Sequence, residues 1–405
     1  MKRKNKCENC NIGVNDFEYC DVIGKGGFGL VIKCRKKTTG KEYAMKIQHK
    51  ESTLNKFNDD YTKIVNERNA HIVCASHPFI VEILYMFTSE SLTHIVTDLS
   101  VLGDLRTIAR SLPNNVYDSA HVKLYVAEVI LALKYIHGKN MIHRDLKPSN
   151  ILLYSDGHVK LADLGEMTSV SEKIKIDDSH LEISCPTYFD NEIDEDDVAV
   201  NSYVGTNTYM APEMKYYESE SGDVIPYSKS VDVWSLGITM FELCTGHTLA
   251  PCNNISRLQK QVETLAFPRH IYLNKLFPMF VRELLNVNHY KRITIGECEN
   301  HKYYADVDWT KLYDKKISSP TPVGSAKEYA TNAMTFADFM KYAKKEELLS
   351  IKLTTSEHKH FAGWEYVNKK AIQSEIDYLQ GRINILTTSV KTPQQALASP
   401  SITKQ

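Results

Sequence analysis

No run of eighteen or so apolar residues occurs in this 405-residue chain, so a membrane-spanning helix is not expected. An excess of charge of one sign is also missing. Lys and Arg number 49 against 50 Asp and Glu, and a formal net charge of -1 offers no general attraction to nucleic acid or anionic lipid. The opening "MKRKNKCENC" is basic but has no apolar core of the kind a secretory signal needs, and the closing "SITKQ" has no prenylation box. Nine cysteines, spaced closely only at Cys7 and Cys10, do not form a disulfide framework and suit a reducing, cytoplasmic compartment. That pair could be half of a zinc site with Cys20 as a third ligand, but a structural zinc needs four ligands and no second pair is near.

What is present is enough apolar sequence, 42%, to bury a large core, in a chain long enough to divide into more than one lobe. From Phe17 to about Leu99, period-two runs ("FEYCDVIG", "LVIKCRK", "EYAMKI", "THIVTDL") are interrupted by one helical stretch from Tyr61 to about Val73. Beyond it the helical period dominates. In "HVKLYVAEVILALKYIHG" the residues Val122, Tyr125, Val126, Val129, Leu133 and Ile136 form one stripe that stops at Gly138. A sheet-rich lobe therefore precedes a helix-rich one.

Between Ser171 and Val200 ten acidic residues stand against two basic ones with no sustained period, which predicts a solvated loop. Near the end, Ile372, Ile376, Leu379, Ile383 and Leu386 alternate spacings of four and three. Two heptads are too few for a coiled coil, so this stripe is expected to dock onto the protein's own body. The closing "VKTPQQALASPSITKQ" is polar and is expected to be disordered.

The chemistry lies in a series of motifs. "GKGGFG" (Gly24, Lys25, Gly26, Gly27, Phe28, Gly29) is flanked by strands on both sides. A dinucleotide site would need a helix to follow, so the pattern favours a hairpin covering phosphates, with glycines admitting the backbone close to the oxygens. Val31 follows, Lys46 ends "EYAMK" on the next strand, and Glu67 in "VNERNA" lies on the predicted helix where it could pair with that lysine. "HRDLKPSNILL" then places Asp145, Lys147 and Asn150 in one loop, and Asp163 follows in "DLG". An acid to accept a hydroxyl proton, a lysine for a transferring phosphoryl and two metal ligands make up a phosphoryl-transfer site.

Together with "VGTNTYMAPE" to Glu213, "DVWSLG" from Asp232 and Arg292 in "KRIT", the chain resembles protein kinases from roughly Phe17 to Tyr304. The resemblance implies an α+β, bilobal fold, with an antiparallel-sheet N-lobe (17–99) carrying one key helix and a helical C-lobe (100–304). ATP and Mg2+ would occupy the cleft. A short basic extension (1–16), an acidic activation-loop insert (168–201), a C-terminal tail (305–370) and a terminal helix with a polar end (371–405) complete the expected organisation.

Carried over by resemblance, Gly24, Lys25, Gly26, Gly27, Phe28, Gly29 and Val31 would cover ATP, and Lys46, oriented by Glu67, would bind its phosphates. Ala44 and Leu152 would sandwich the adenine, Thr97, Asp98 and Leu99 would border it, and Asp104 would contact the ribose. Asp145 would be the base, Lys147 would stabilise the transferred phosphoryl, and Asn150 and Asp163 would hold magnesium. "Lys-Pro-Ser" after "HRDL" and Thr206 before "APE" resemble serine/threonine kinases, with Thr206 bonded to Asp145 and Glu213 paired with Arg292. A pseudokinase scaffold is the alternative, suggested by Leu164 in "DLG", by His71 where an apolar residue is expected, and by the insert. All the polar catalytic residues are nevertheless present.

"NERNAHIVCASHPFIVEI", "HKYYADVDWTKL" and a long tail are similar to the AGC group. In that tail "FADF" (336–339) resembles the segment that closes over the nucleotide. "FAGWEYV" resembles the group's hydrophobic motif, with Phe361, Trp364 and Tyr366 as docking aromatics and Glu365 supplying a permanent charge where a phosphorylatable residue is usual. The tail is thus expected to dock in cis on the N-lobe. Within the group, the glycine loop, "LSVLGDL" and "DLG" look most like G-protein-coupled receptor kinases, without the N-terminal helical domain those enzymes carry. Ser202 in "NSYVGT" stands at a common phosphorylation position, where its phosphate would meet Arg144. Ser149 and Ser235 stand where arginine-directed relatives carry acids, so a strict arginine requirement in substrates is not expected.

Overall fold

The computed structural model describes residues 12–26, 29–50, 61–74, 76–89, 92–169, 205–215, 227–252, 254–268, 275–320, 364 and 366–391. The chain opens with strands β1 (Phe17–Gly26), β2 (Gly29–Lys36) and β3 (Glu42–His49), then helix α1 (Tyr61–Cys74) and strands β4 (Ile83–Thr88) and β5 (Leu92–Asp98). Helices α2 (Leu105–Ala109) and α3 (Ser119–Gly138) lead into four short strands, β6 (Met141–Ile142), β7 (Ile151–Leu153), β8 (Val159–Leu161) and β9 (Thr168–Ser169). There follow α4 (Ser230–Thr245), α5 (Ile255–Glu263), α6 (Leu276–Leu284), α7 (Ile295–Asn300) and α8 (Trp309–Tyr313), and finally β10 (Tyr366–Val367) and α9 (Lys369–Lys391).

Among the described residues two compact units emerge, one from residues 61–83 and 100–320 and a smaller one from 12–50, 84–99 and 364–391. Sequence periodicity put α1 in the sheet-rich lobe, but its contacts group it with the larger unit, because it packs against the Leu164–Glu166 turn and β9. The larger unit is built on α3. Asp118 caps this helix by accepting from the amides of Ala120 and His121, and the predicted stripe is buried from Val122 to Ile136. Helices α4 and α7 and strand β8 pack against it. Thr168 and Ser169, expected within the acidic insert, instead pair as β9 with β6, so the insert begins after them.

In the smaller unit the sheet order is β1-β2-β3-β5-β4-β10. Alternation buries Leu30, Ile32 and Cys34 of β2 and Tyr43, Met45 and Ile47 of β3 on one face. Phe17, Tyr43, Tyr85 and Phe87 meet there edge-on or stacked, with ring centroids 5.7–6.3 Å apart. Val31, Ala44 and Lys46 fall on the other face and stay half-buried. β10 extends the sheet antiparallel to β4, pairing Tyr366 with Met86 and Val367 with Tyr85, and the Asn368 amide donates to the Leu84 carbonyl.

α9 then lies against the sheet by an unexpected side. Ala371 and Glu375 are buried, and the Glu375 carboxylate accepts from Lys36 Nζ at 2.8 and 2.9 Å, Tyr43 Oη at 2.8 Å and Tyr85 Oη at 2.5 Å. Lys41 donates to Ser374, and Tyr378 Oη to the Gly40 carbonyl at 3.4 Å. Burial alone would raise the Glu375 carboxyl, but these donors and the Lys36 charge outweigh it and hold the carboxyl below its ordinary value. Of the aliphatic stripe expected to dock, Ile372, Ile376 and Leu379 are instead 58%, 42% and 39% exposed, and the side chains of Ile383 and Leu386 lie outside the described residues. Four polar groups satisfy one another where the helix meets the sheet, and that network sets the helix's rotation.

Among the described residues, Cys20, Cys34, Cys74, Cys244, Cys252 and Cys298 are free thiols, no His/Cys/Asp/Glu cluster fits a metal, and no helix is long and apolar enough to cross a membrane. Cys7, Cys10, Gly27, Phe28, the acidic insert after Ser169, Ser202, "FADF", Phe361, Glu365 and residues 392–405 lie outside the described residues.

Candidate active site

The smaller unit presents the residues expected to cover the nucleotide. β1 and β2 pair Gly24 with Val31 and close on the Gly26–Gly29 pair. Gly29 has φ +149°, and a Cβ there would lie 2.0 Å from the Ile47 carbonyl oxygen, so only glycine lets the hairpin sit this close to β3. Val31 lies across from Lys46, and Ala44 across from Thr97, so these four share the face opposite the aromatic core. Asp98 ends β5, with Lys41 Nζ 3.6 Å from its carboxylate, and Leu99 follows.

The larger unit carries the loop expected to be catalytic. Asp145 is buried, with every oxygen of its carboxylate engaged: Oδ1 accepts from the Thr206 amide at 3.0 Å and Thr206 Oγ1 at 2.7 Å, and Oδ2 accepts from Lys147 Nζ at 2.6 Å and Asn150 Nδ2 at 3.0 Å. Asn150 Nδ2 also donates to the Asp145 carbonyl at 2.7 Å, and Lys147 Nζ to Thr206 Oγ1 at 2.6 Å. The carboxylate is thus fixed in rotation by charge-assisted bonds from three side chains and one amide.

Backbone geometry sustains this arrangement. Arg144 (φ 68°) and Asp163 (φ 57°) both adopt the left-handed region, which is uncommon for non-glycine residues and is held here by surrounding bonds. Around Arg144 the holding group is Asp232, fully buried near the start of α4. It accepts from the amides of His143 and Arg144 and from His137 Nε2, each at 2.8 Å. Burial would raise its carboxyl, yet the His137 bond, the nearby histidines and the His143 amide keep it below its ordinary value. Arg144 Nε donates to the Glu166 carbonyl at 2.5 Å and Nη1 to Tyr227 Oη at 3.1 Å. Gly205 (φ +106°) passes so close that a Cβ would stand 2.5 Å from the Arg144 carbonyl oxygen.

Leu164 is buried beside α1, filling the slot that made "DLG" look defective. His71 and Ile72 of α1 are both buried. The Glu67 side chain lies outside the described residues. Glu213 and Arg292 form a buried bidentate pair at 2.5 and 2.9 Å.

Asp104, expected at the ribose, also caps α2: Oδ1 accepts from the Thr107 amide at 2.9 Å and Oδ2 from Thr107 Oγ1 at 2.7 Å, while its backbone bridges Leu152. Ser235, expected at a substrate-facing position, is buried, and its hydroxyl donates to the Tyr209 carbonyl at 2.8 Å. The motif reading missed Glu242, a carboxylate that accepts from Arg106 and Tyr209. Asp232 and His137 were also given no role, although a lone acid opening the apolar "DVWSLG" helix was a signal.

Residues 17–304 match the protein kinase domain. Over 378 residues the chain is 30% identical to the serine/threonine-protein kinase SCH9 of Saccharomyces cerevisiae, covering 90% of this chain and 42% of that one. It is 30% identical over 385 residues to a putative ribosomal protein S6 kinase alpha-1 of Caenorhabditis elegans (93% and 44%), and 30% over 313 residues to the serine/threonine-protein kinase Sgk3 of Rattus norvegicus (76% and 56%). The chain spans roughly half the length of these curated relatives or less, and they are of the AGC group. With its sheet, its catalytic loop and a match over most of its length, the chain belongs to the protein kinase domain family.

Proposed function

We propose that this chain is an ATP-dependent serine/threonine protein kinase acting in signalling. The observation that carries the reading is the fixed Asp145 carboxylate, which accepts from Lys147, Asn150 and Thr206 in one loop. Asp145 takes the proton of the substrate hydroxyl, Lys147 places positive charge beside the transferring phosphoryl, and Thr206 holds both. Lys46, oriented by Glu67, binds the nucleotide phosphates under the Gly24–Gly29 hairpin. Asn150 and Asp163 fit Mg2+: both offer oxygen ligands, and the Asn150 amide nitrogen is turned to Asp145, leaving its oxygen for a cation. Bound magnesium supplies charge neutralisation to the phosphates.

The tail docks in cis. Support comes from β10 on the sheet edge, from buried Trp364, and from matches that reach well past residue 304. Phe361→Ala with Trp364→Ala should lower turnover about tenfold or more, and unchanged turnover would contradict docking. The "DLG" motif and glycine loop support a likeness to G-protein-coupled receptor kinases, and Ser202, once phosphorylated, would pair with Arg144. Glu242 is matched by Arg106 and Ser235 is buried, which supports substrates without a strict arginine requirement.

The test is ATP phosphotransfer to a peptide library, run beside Asp145→Asn. Wild-type transfer to Ser and Thr with a loss of about 10²–10⁴ in the variant is expected. No transfer by the wild-type chain would favour the scaffold reading.

A further inference from the structure

Besides the loop around Asp145, the larger unit holds an open cavity of about 510 Å³, lined by α5, the end of α6 and the turn that follows it. That volume is in the range of ligand pockets. Buried Val262, Leu285 and Val287 supply its apolar wall, and two cations, Arg282 and Lys291, stand around that wall with one acid, Glu263.

The Arg282 guanidinium is held in place but not neutralised. Its Nη2 donates to the Leu265 carbonyl at 3.1 Å, and its Cζ stands 5.5 Å from the centre of the Phe267 ring. Arg282 Nη1 and Lys291 Nζ have no partner among the described residues, and neither cation forms an ion pair with Glu263, whose Oε1 accepts from Gln259 Nε2 at 3.0 Å. The turn is braced from within. Asn286 Oδ1 accepts from the Asn288 amide at 3.1 Å, Asn288 Oδ1 from the Tyr290 amide at 3.0 Å, and Arg292 Nε donates to the Asn286 carbonyl at 2.9 Å. Those bonds use the amide oxygens and leave Asn288 Nδ2 as a third unengaged donor.

We propose that this cavity binds an acidic, aliphatic peptide segment of a partner protein. A carboxylate of the segment meets Arg282 and Lys291, and a neighbouring leucine-like side chain lies on Val262, Leu285 and Val287. Three donors without acceptors select an anion, and a guanidinium already fixed in orientation loses little freedom on meeting one. Gln259 Oε1, which its bond to Glu263 leaves unused, can accept a backbone amide, which favours a peptide over a free carboxylic acid. Glu263 on the same rim would repel a dianionic phosphate, so a phosphorylated segment fits less well.

Fluorescence anisotropy of the full chain without ATP tests this, using a fluorescein-labelled octapeptide with two aspartates around a leucine beside the same peptide with asparagines. Support would be a dissociation constant on the order of 10–100 µM for the aspartate peptide, weakened about tenfold by asparagine or by Arg282→Gln and about threefold by Lys291→Gln. Arg282→Gln also gives up the Leu265 bond, so Lys291→Gln, a change at an exposed side chain, keeps the test decisive if the first variant melts early. The proposal would be overturned by equal affinity for the two peptides, by an affinity that Lys291→Gln leaves unchanged, or by tighter binding of a phosphoserine version. Binding of 4-methylpentanoate as tight as that of the peptide, or no peptide binding up to about 1 mM, would overturn it as well.

Discussion

At the residue scale, the decisive groups are those whose chemistry depends on being held. Gly205 and Glu213 illustrate the two ways of holding. Gly205→Ala must place a Cβ 2.5 Å from the Arg144 carbonyl and abandon φ +106°, so the Thr206 bonds to Asp145 shift. We expect a cost of about 1–3 kcal/mol and a kcat loss larger than the KM change, measurable by denaturant melts and steady-state kinetics. Glu213→Gln leaves Arg292 as a buried charge with its bidentate partner neutralised, and truncation of one member of such a pair costs roughly 3–5 kcal/mol. A melting temperature within a degree or two of wild type would show the pair to be dispensable. Both residues sit in motifs visible in the string, but neither partner distance was.

At the scale of elements, α9 shows how a correct periodicity can give the wrong orientation. A 4-3-4-3 aliphatic pattern specifies one face of a helix; it does not say which face meets the sheet. That was decided by Lys36, Tyr43 and Tyr85, three donors from separate strands that converge on Glu375. Glu375→Ala strands these partly buried donors and should destabilise the smaller unit by about 1–3 kcal/mol, seen as an earlier transition in thermal melts and faster proteolysis of the C-terminal helix. Equal protease resistance would mean that β10 alone anchors the segment. Likewise α1 had a readable period, yet its grouping with the Leu164–Glu166 turn depended on contacts made about ninety residues away in sequence.

At the scale of the whole molecule, acid should be the destabilising direction. Burial pushes the imidazoles of His77 and His94 down to about 4, from an ordinary value near 6.5. Both are neutral in the folded chain, so between pH 6.5 and 4 the unfolded chain binds more protons and stability falls as pH falls. Asp232 and Glu375, held below their ordinary values, add stability that persists above about pH 4 and is lost on further acidification through their folded values. Melting temperature measured from pH 8 to 4 should decline from about pH 6.5 downward and more steeply below pH 5. A flat profile across that window would contradict the burial of both histidines.

By itself the sequence determined the family and the succession of a sheet-rich lobe and a helix-rich one, and it singled out Asp145, Lys147, Asn150 and Asp163 as candidates, because glycine loops, alternation and motif spacing are local properties of the chain. Only the tertiary structure decided that Asp104 caps a helix, that Ser235 is buried while Glu242 meets Arg106, and that Asp232 holds the Arg144 backbone. It also left Ile372, Ile376 and Leu379 of α9 exposed. Each of these is settled by donors and acceptors brought together from distant positions, and a buried polar group takes whichever partner the fold brings within reach.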